Sequence, residues 1–174
     1  MKQNDVQKLM KIAMIAAVYS AVSLLLAPLS FGAIQIRVAE ALTLLPLLSF
    51  LPVWGLTLGC ALTNLIGAMT GVNILGFWDV LFGTLATLIA AYFTYRFRSV
   101  RYKGIPWLSA LFPIIVNGII IGAELAILLD PTFTGFLIFA GYVALGEALS
   151  VLVIGIPLMR RMEKGNFAKY FSVS

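Results

Sequence analysis

The chain contains no histidine and a single cysteine, Cys60. It therefore lacks the commonest metal ligand and the commonest general base. One cysteine forms no disulfide within the chain and builds no thiolate metal site. No metal and no cofactor are expected. No G-x-x-x-x-G-K-S/T stretch occurs, so the chain cannot cradle ATP phosphates by itself. H-E-x-x-H and G-x-S-x-G are missing too, and no nucleophile–base pair shows. No catalytic residue is assigned, and an enzyme is not expected. Charge is also scarce. Charged residues make up 11% of the chain and hydrophobic ones 61%, with a mean hydropathy of +1.04. A soluble domain averages about 25% charged residues. With 174 residues, a soluble fold would have too few polar groups to cover its surface.

What is present is a series of long apolar runs with short breaks. In a bilayer the backbone must satisfy its own hydrogen bonds, as helices or as a closed barrel. Period-two alternation is absent, so helices are expected. Six segments are predicted, at 9–28, 37–50, 53–70, 76–96, 105–129 and 133–160, within one membrane domain spanning 1–174. The second is short: at about 1.5 Å per residue it reaches roughly 20 Å, against about 30 Å of hydrocarbon.

The net charge of +5 marks topology here rather than a nucleic-acid partner. Eleven of the twelve basic residues fall in three places. Lys2, Lys8 and Lys11 precede the first run. Arg96, Arg98, Arg101 and Lys103 follow the fourth. Arg160, Arg161, Lys164 and Lys169 follow the sixth. Short Lys/Arg-rich segments stay cytoplasmic. Even numbers of crossings must separate the three clusters, so six helices with both termini cytoplasmic are predicted.

The remaining polar residues then stand out. Arg37 and Glu40 lie at the outer end of the second segment and Asp79 at the outer start of the fourth. Glu124 lies in the outer part of the fifth and Glu147 near the middle of the sixth. Asn64 and Asn117 sit in the third and fifth. A charge at helix centre costs about 2.5–3.5 kcal/mol, tolerated where such groups face one another or a wet cavity. A shared pocket open to the outside is one reading. The plainer ones stand beside it: Arg37 and Glu40 pairing at i, i+3, the asparagines gluing helices, and Asp79 answering a helix dipole. Small residues form a second pattern. Ala13, Ala17 and Ala21 make a narrow stripe. Gly55/Gly59, Gly67/Gly71 and Gly118/Gly122 are pairs that let backbones approach, within the bundle or against another subunit.

"GAIQIRVAEALTLLP", "NLIGA", "WDVLFGTLATLIAAYFTY", "NGIIIGAEL" and "GEALSVLVIGIPLM" resemble the QueT family, over nearly the whole chain and in order. That family consists of proposed queuosine-precursor transporters similar to the S components of energy-coupling factor (ECF) transporters. The resemblance implies a six-helix membrane subunit of a bacterial cell membrane, holding substrate at the extracellular side. It implies a transmembrane coupling protein and two ATPase subunits as partners. Ala13, Ala17 and Ala21 match the docking stripe of such proteins, and the mechanism implied is toppling of the loaded subunit in the membrane. A 7-deazaguanine shows N1–H and a 2-amino group side by side, which one carboxylate can accept. An aminomethyl group would suit a second acid. Glu40, Asp79, Glu124 and Glu147 are the candidate acids. Arg37 would hold an acid ionised or meet the carbonyl oxygen, and Asn64 and Asn117 would read the base edges. Trp78, with Phe31 or Tyr142, would stack on the ring. An S component for another vitamin and a non-transporting membrane scaffold are the alternative functions.

Overall fold

A computed structural model describes residues 3–32 and 35–165. Lys2 and Lys169, counted above as topology markers, lie outside the described residues. The described residues contain helices and no strand. The helices are α1 (Gln3–Leu25), α2 (Ala27–Ser30), a 3-10 helix (Val38–Leu47), α3 (Leu51–Thr70), α4 (Trp78–Arg96), α5 (Trp107–Leu129), α6 (Phe133–Ala148), a π-helical segment (Leu149–Gly155) and α7 (Ile156–Lys164).

Five of these stretches are long and apolar enough to cross a membrane: α1, α3, α4, α5 and the continuous run Phe133–Lys164. The predicted second helix at 37–50 is the exception. It is a ten-residue 3-10 helix, reaching about 20 Å at roughly 2.0 Å per residue. It is buried from Ala39 to Leu47 except at Leu42. A helix apolar around most of its circumference belongs inside a bundle. This one packs against α1, α3, α4, α5 and the π-helical segment. The first helix also differs from its predicted range of 9–28. It starts at Gln3 and breaks after Leu25, and Pro28 falls in the separate turn of α2.

Glycine contacts fix the helix directions. Gly55 meets the Ile15 side chain, and Gly59 meets Ala16 and Tyr19. Both numbers rise together, so α1 and α3 run parallel. Residues 26–50 therefore carry the chain back along the bundle, and the central 3-10 helix is part of that return. Gly118 and Gly122 lie against Ala144 and Ala140, so α5 and α6 run antiparallel. Both glycine pairs serve packing inside the bundle. Gly67 and Gly71 do not act as a pair. Gly67 receives the Phe31 ring, while Gly71 ends α3 at φ 73°, a left-handed cap that favours glycine.

Elsewhere the helices are rimmed by large exposed apolar side chains, among them Leu81, Ile119, Leu145 and Val153. In a bilayer these face lipid.

Candidate functional site

The polar residues are inside. Arg37, Glu40, Asn64, Asp79, Asn117, Glu124 and Glu147 are all buried. The centre of the arrangement is an ion pair between Arg37 and Asp79, with Nη2 to Oδ2 at 2.7 Å. Asp79 lies in the first turn of α4, where the helix dipole also favours a carboxylate. Two amides hold it there. Asn73 Nδ2 donates to Oδ2 at 2.9 Å, and Asn64 Nδ2 donates to the Asp79 carbonyl oxygen at 2.7 Å. The Arg37–Glu40 pairing, one of the plainer readings of the sequence, gives way to this tertiary pair. Arg37 precedes the 3-10 helix with φ −83° and ψ 88°, outside helical geometry. The i, i+3 neighbour rule has no helix to act on there.

Glu40 instead accepts a hydrogen bond from the Tyr19 hydroxyl of α1. The acids of the other helices approach the same charges. Glu124 on α5 and Glu147 at the end of α6 lie within electrostatic range of the Arg37 guanidinium. Asn117 lies seven residues before Glu124 and so shares its face of α5. Gly146, the residue before Glu147, lies directly against the backbone of Gln35. The π-helical segment begins two residues after Glu147. Such segments recur where a helix is adapted to a site.

The cluster is unsaturated. Among the described residues, no hydrogen-bond partner is found for Gln35 Nε2, Glu40 Oε2, Asp79 Oδ1 or Glu147 Oε2. The same holds for both amide atoms of Asn117 and both carboxylate oxygens of Glu124. Buried polar atoms are ordinarily paired, and leaving one unpaired costs about 1–3 kcal/mol. Donors and acceptors on four chain segments are thus left unpartnered among the described residues.

The aromatic candidates are placed differently. Phe31 is buried with its ring on Gly67. Tyr142 is exposed. Trp78 turns outward, 60% exposed, onto a groove of 610 Å³ between α4 and α5. Of the residues singled out from the sequence, the groove is lined by Trp78 and Glu124. Ala13, Ala17 and Ala21 are all exposed on α1, away from the face that carries Ile15, Ala16 and Tyr19 into the bundle. Among the described residues, no group of acids and cysteine is arranged to hold a metal ion.

Three residues of the cluster escaped the sequence reading. Tyr19 was hidden in an apolar run, though a phenol there needs a partner. Asn73 follows the end of α3, and only the turn at Gly71 brings it to Asp79. Gln35 stands two residues from Arg37 in an extended segment, a polar residue in a greasy stretch that could have been marked.

A helical bundle with lipid-facing apolar flanks defines a multi-pass membrane protein, here with a buried, incompletely paired polar centre. Residues 9–164 match the family model described as QueT transporter. The chain belongs to that family, a family of transporters and not of enzymes. No curated protein and no solved structure matches it.

Proposed function

We propose that the chain is the substrate-binding membrane subunit, the S component, of an ECF transporter that takes up a 7-deazaguanine precursor of queuosine. The observation that carries this reading is the buried cluster of unpartnered donors and acceptors around the Arg37–Asp79 pair. A purine-like ring brings a dense edge of N–H groups and acceptors, which suits carboxylates and amides fixed in advance. In this reading Glu124 or Glu147 accepts N1–H and the 2-amino group. Asn117 reads another edge. Arg37, already engaged by Asp79, positions that acid, and Asn64 does the same through the α4 backbone. Glu40 is held by Tyr19 as part of the wall.

The proposed topology is one membrane domain of six crossings with both termini cytoplasmic. Parallel packing of α1 and α3 supports it, since the chain must return between them. The return through residues 26–50 is the sixth crossing, short because protein surrounds it on several sides. The exposed stripe of Ala13, Ala17 and Ala21 is the proposed seat for the coupling protein, which in turn joins two ATPase subunits.

The test is calorimetry on the purified protein. Aminomethyl- and nitrile-bearing 7-deazaguanines should bind, and thiamine, riboflavin and biotin should not. Glu147→Gln and Asn117→Ala should weaken binding at least tenfold, as loss of a hydrogen bond to a buried group predicts. Binding of a vitamin instead would reassign the substrate. No binding of any of these compounds would remove the reading.

A further inference from the structure

Two basic stretches far apart in sequence meet at one end of the bundle. Residues 96–106 lead from α4 into α5, and residues 156–164 form α7. Together they carry seven basic residues and one acid, Glu163. Arg101 takes that acid, donating to it through Nη1 at 3.0 Å and also through Nη2. This two-pronged ion pair ties the α4–α5 connection to α7 and uses the one carboxylate of the two stretches. Arg98 is engaged as well, with its guanidinium 4.0 Å from the centre of the Tyr95 ring. Lys103, Arg160 and Lys164 have no acidic partner among the described residues. Arg160 and Lys164 stand one turn apart on the face of α7 that carries Glu163, and Lys103 follows Arg101 by two residues.

The connection is firmly rooted. Tyr102 and Ile105 exchange two backbone hydrogen bonds of 3.0 Å around Lys103 and Gly104. Both central residues have positive φ, 52° and 74°, as a two-residue hairpin turn demands. Behind the turn, Phe112 of α5 stacks on Phe93 and Phe97 of α4, with ring centres 5.0 and 5.2 Å away. Thr94 and Ser109 each donate to the other's carbonyl oxygen. Val100, Tyr102 and Trp107 of the same connection are exposed. The location selects the occupant. These residues sit at the ends of helices long and apolar enough to cross a membrane, so they stand at the level of the lipid headgroups. Tyr and Trp concentrate at that level. Lys and Arg clustered beside a membrane-spanning helix attract anionic headgroups, whereas a zwitterionic headgroup brings no net charge to the patch.

We propose that the surface around the Arg101–Glu163 junction binds an anionic phospholipid, with the headgroup phosphate on Lys103, Arg160 and Lys164 and the acyl chains against Tyr102 and Trp107. The site does not depend on what the polar interior takes.

The test counts retained lipids. The purified full chain is mixed in detergent with equal amounts of phosphatidylglycerol and phosphatidylcholine of distinguishable mass, and bound lipids are counted by native mass spectrometry. Phosphatidylglycerol should be retained in preference, and the preference should fall as salt is raised. Lys103→Gln should reduce the preference about fivefold, the scale of one basic residue at an anionic surface. Adding Arg160→Gln and Lys164→Gln should abolish it. All three positions are exposed, so the fold is kept. Thr134→Asp lowers the net charge by the same amount at an exposed position at the start of α6, beyond the opposite end of α5. It should leave the preference intact. Equal retention of the two lipids by the unsubstituted chain would overturn the proposal and leave the patch to an acidic protein partner. Equal losses in Lys103→Gln and Thr134→Asp would overturn it too, since overall charge alone would then set the preference.

Discussion

Gly146 lies so close to the carbonyl oxygen of Gln35 that a Cβ at position 146 would overlap it. This contact fastens the final helical run, one residue before Glu147, to the segment that delivers Arg37. The obstacle is backbone, which cannot swing aside as a side-chain end can. Gly146→Ala is therefore expected to destabilise the protein by at least the ~1–3 kcal/mol of ordinary overpacking. In the proposed site it should also weaken substrate binding, because Glu147 moves with it. Gly141 is the control. It lies in the same helix with open space where its Cβ would go, so Gly141→Ala should gain up to about 1 kcal/mol from helix propensity. Thermal unfolding in detergent, followed by loss of monodisperse protein, reads both. Equal losses at the two positions would show that the Gln35 contact has no special part.

The Arg37–Asp79 pair makes a prediction about orphaned charge. Both partners are buried. Removing one leaves the other uncompensated, which typically costs about 3–5 kcal/mol. Arg37→Met and Asp79→Leu should each lower the unfolding temperature strongly. The double variant should be more stable than the sum of the two losses, since no isolated charge remains. Additive losses would mean that the two side chains do not depend on each other.

Much of this was legible from residue order. Apolar run lengths gave four of the helices to within a few residues, and scarcity of charge made Arg37, Glu40, Asp79, Glu124 and Glu147 conspicuous. What was not legible came from tertiary geometry. Arg37 leaves the segment in a non-helical conformation, so its partner lies 42 residues away rather than three. The 3-10 winding of Val38–Leu47 could not be told from an α-helix by hydrophobicity, because the segment is buried on most sides and shows no solvent face. The π-helical segment had one local cue. Pro157 has no N–H to return to the carbonyl of Val153, the kind of loss at which helices become irregular. The direction of α1 against α3 needed the contacts of Gly55 and Gly59 themselves.

Tyr19 links α1 to the central helix through its hydroxyl, which donates to Glu40. Both residues are buried. Tyr19→Phe keeps the ring and its packing on Gly59 but deprives a carboxyl oxygen of its donor. A loss of about 1.5–3 kcal/mol in stability is expected, as for a hydrogen bond to a charged group. Adding Glu40→Leu to Tyr19→Phe should recover part of it, since an apolar pair of similar shape leaves no orphan. Unchanged unfolding of Tyr19→Phe would mean that Glu40 finds another donor.

The two faces of α1 should respond oppositely to bulk. Ala17 is exposed on the stripe, and Gly59 of α3 receives the buried face through Ala16 and Tyr19. Ala17→Trp has room and should leave folding and substrate binding unchanged while abolishing co-purification with the proposed coupling protein and ATPases. Gly59→Leu must displace α1, so it should lower stability by at least the ~1–3 kcal/mol of overpacking, and substrate binding with it through Tyr19 and Glu40. The decisive combination is a folded, substrate-binding Ala17→Trp that no longer co-purifies with its partners. If that variant still co-purifies at wild-type levels, the stripe is a lipid-facing surface and docking must be sought on another helix.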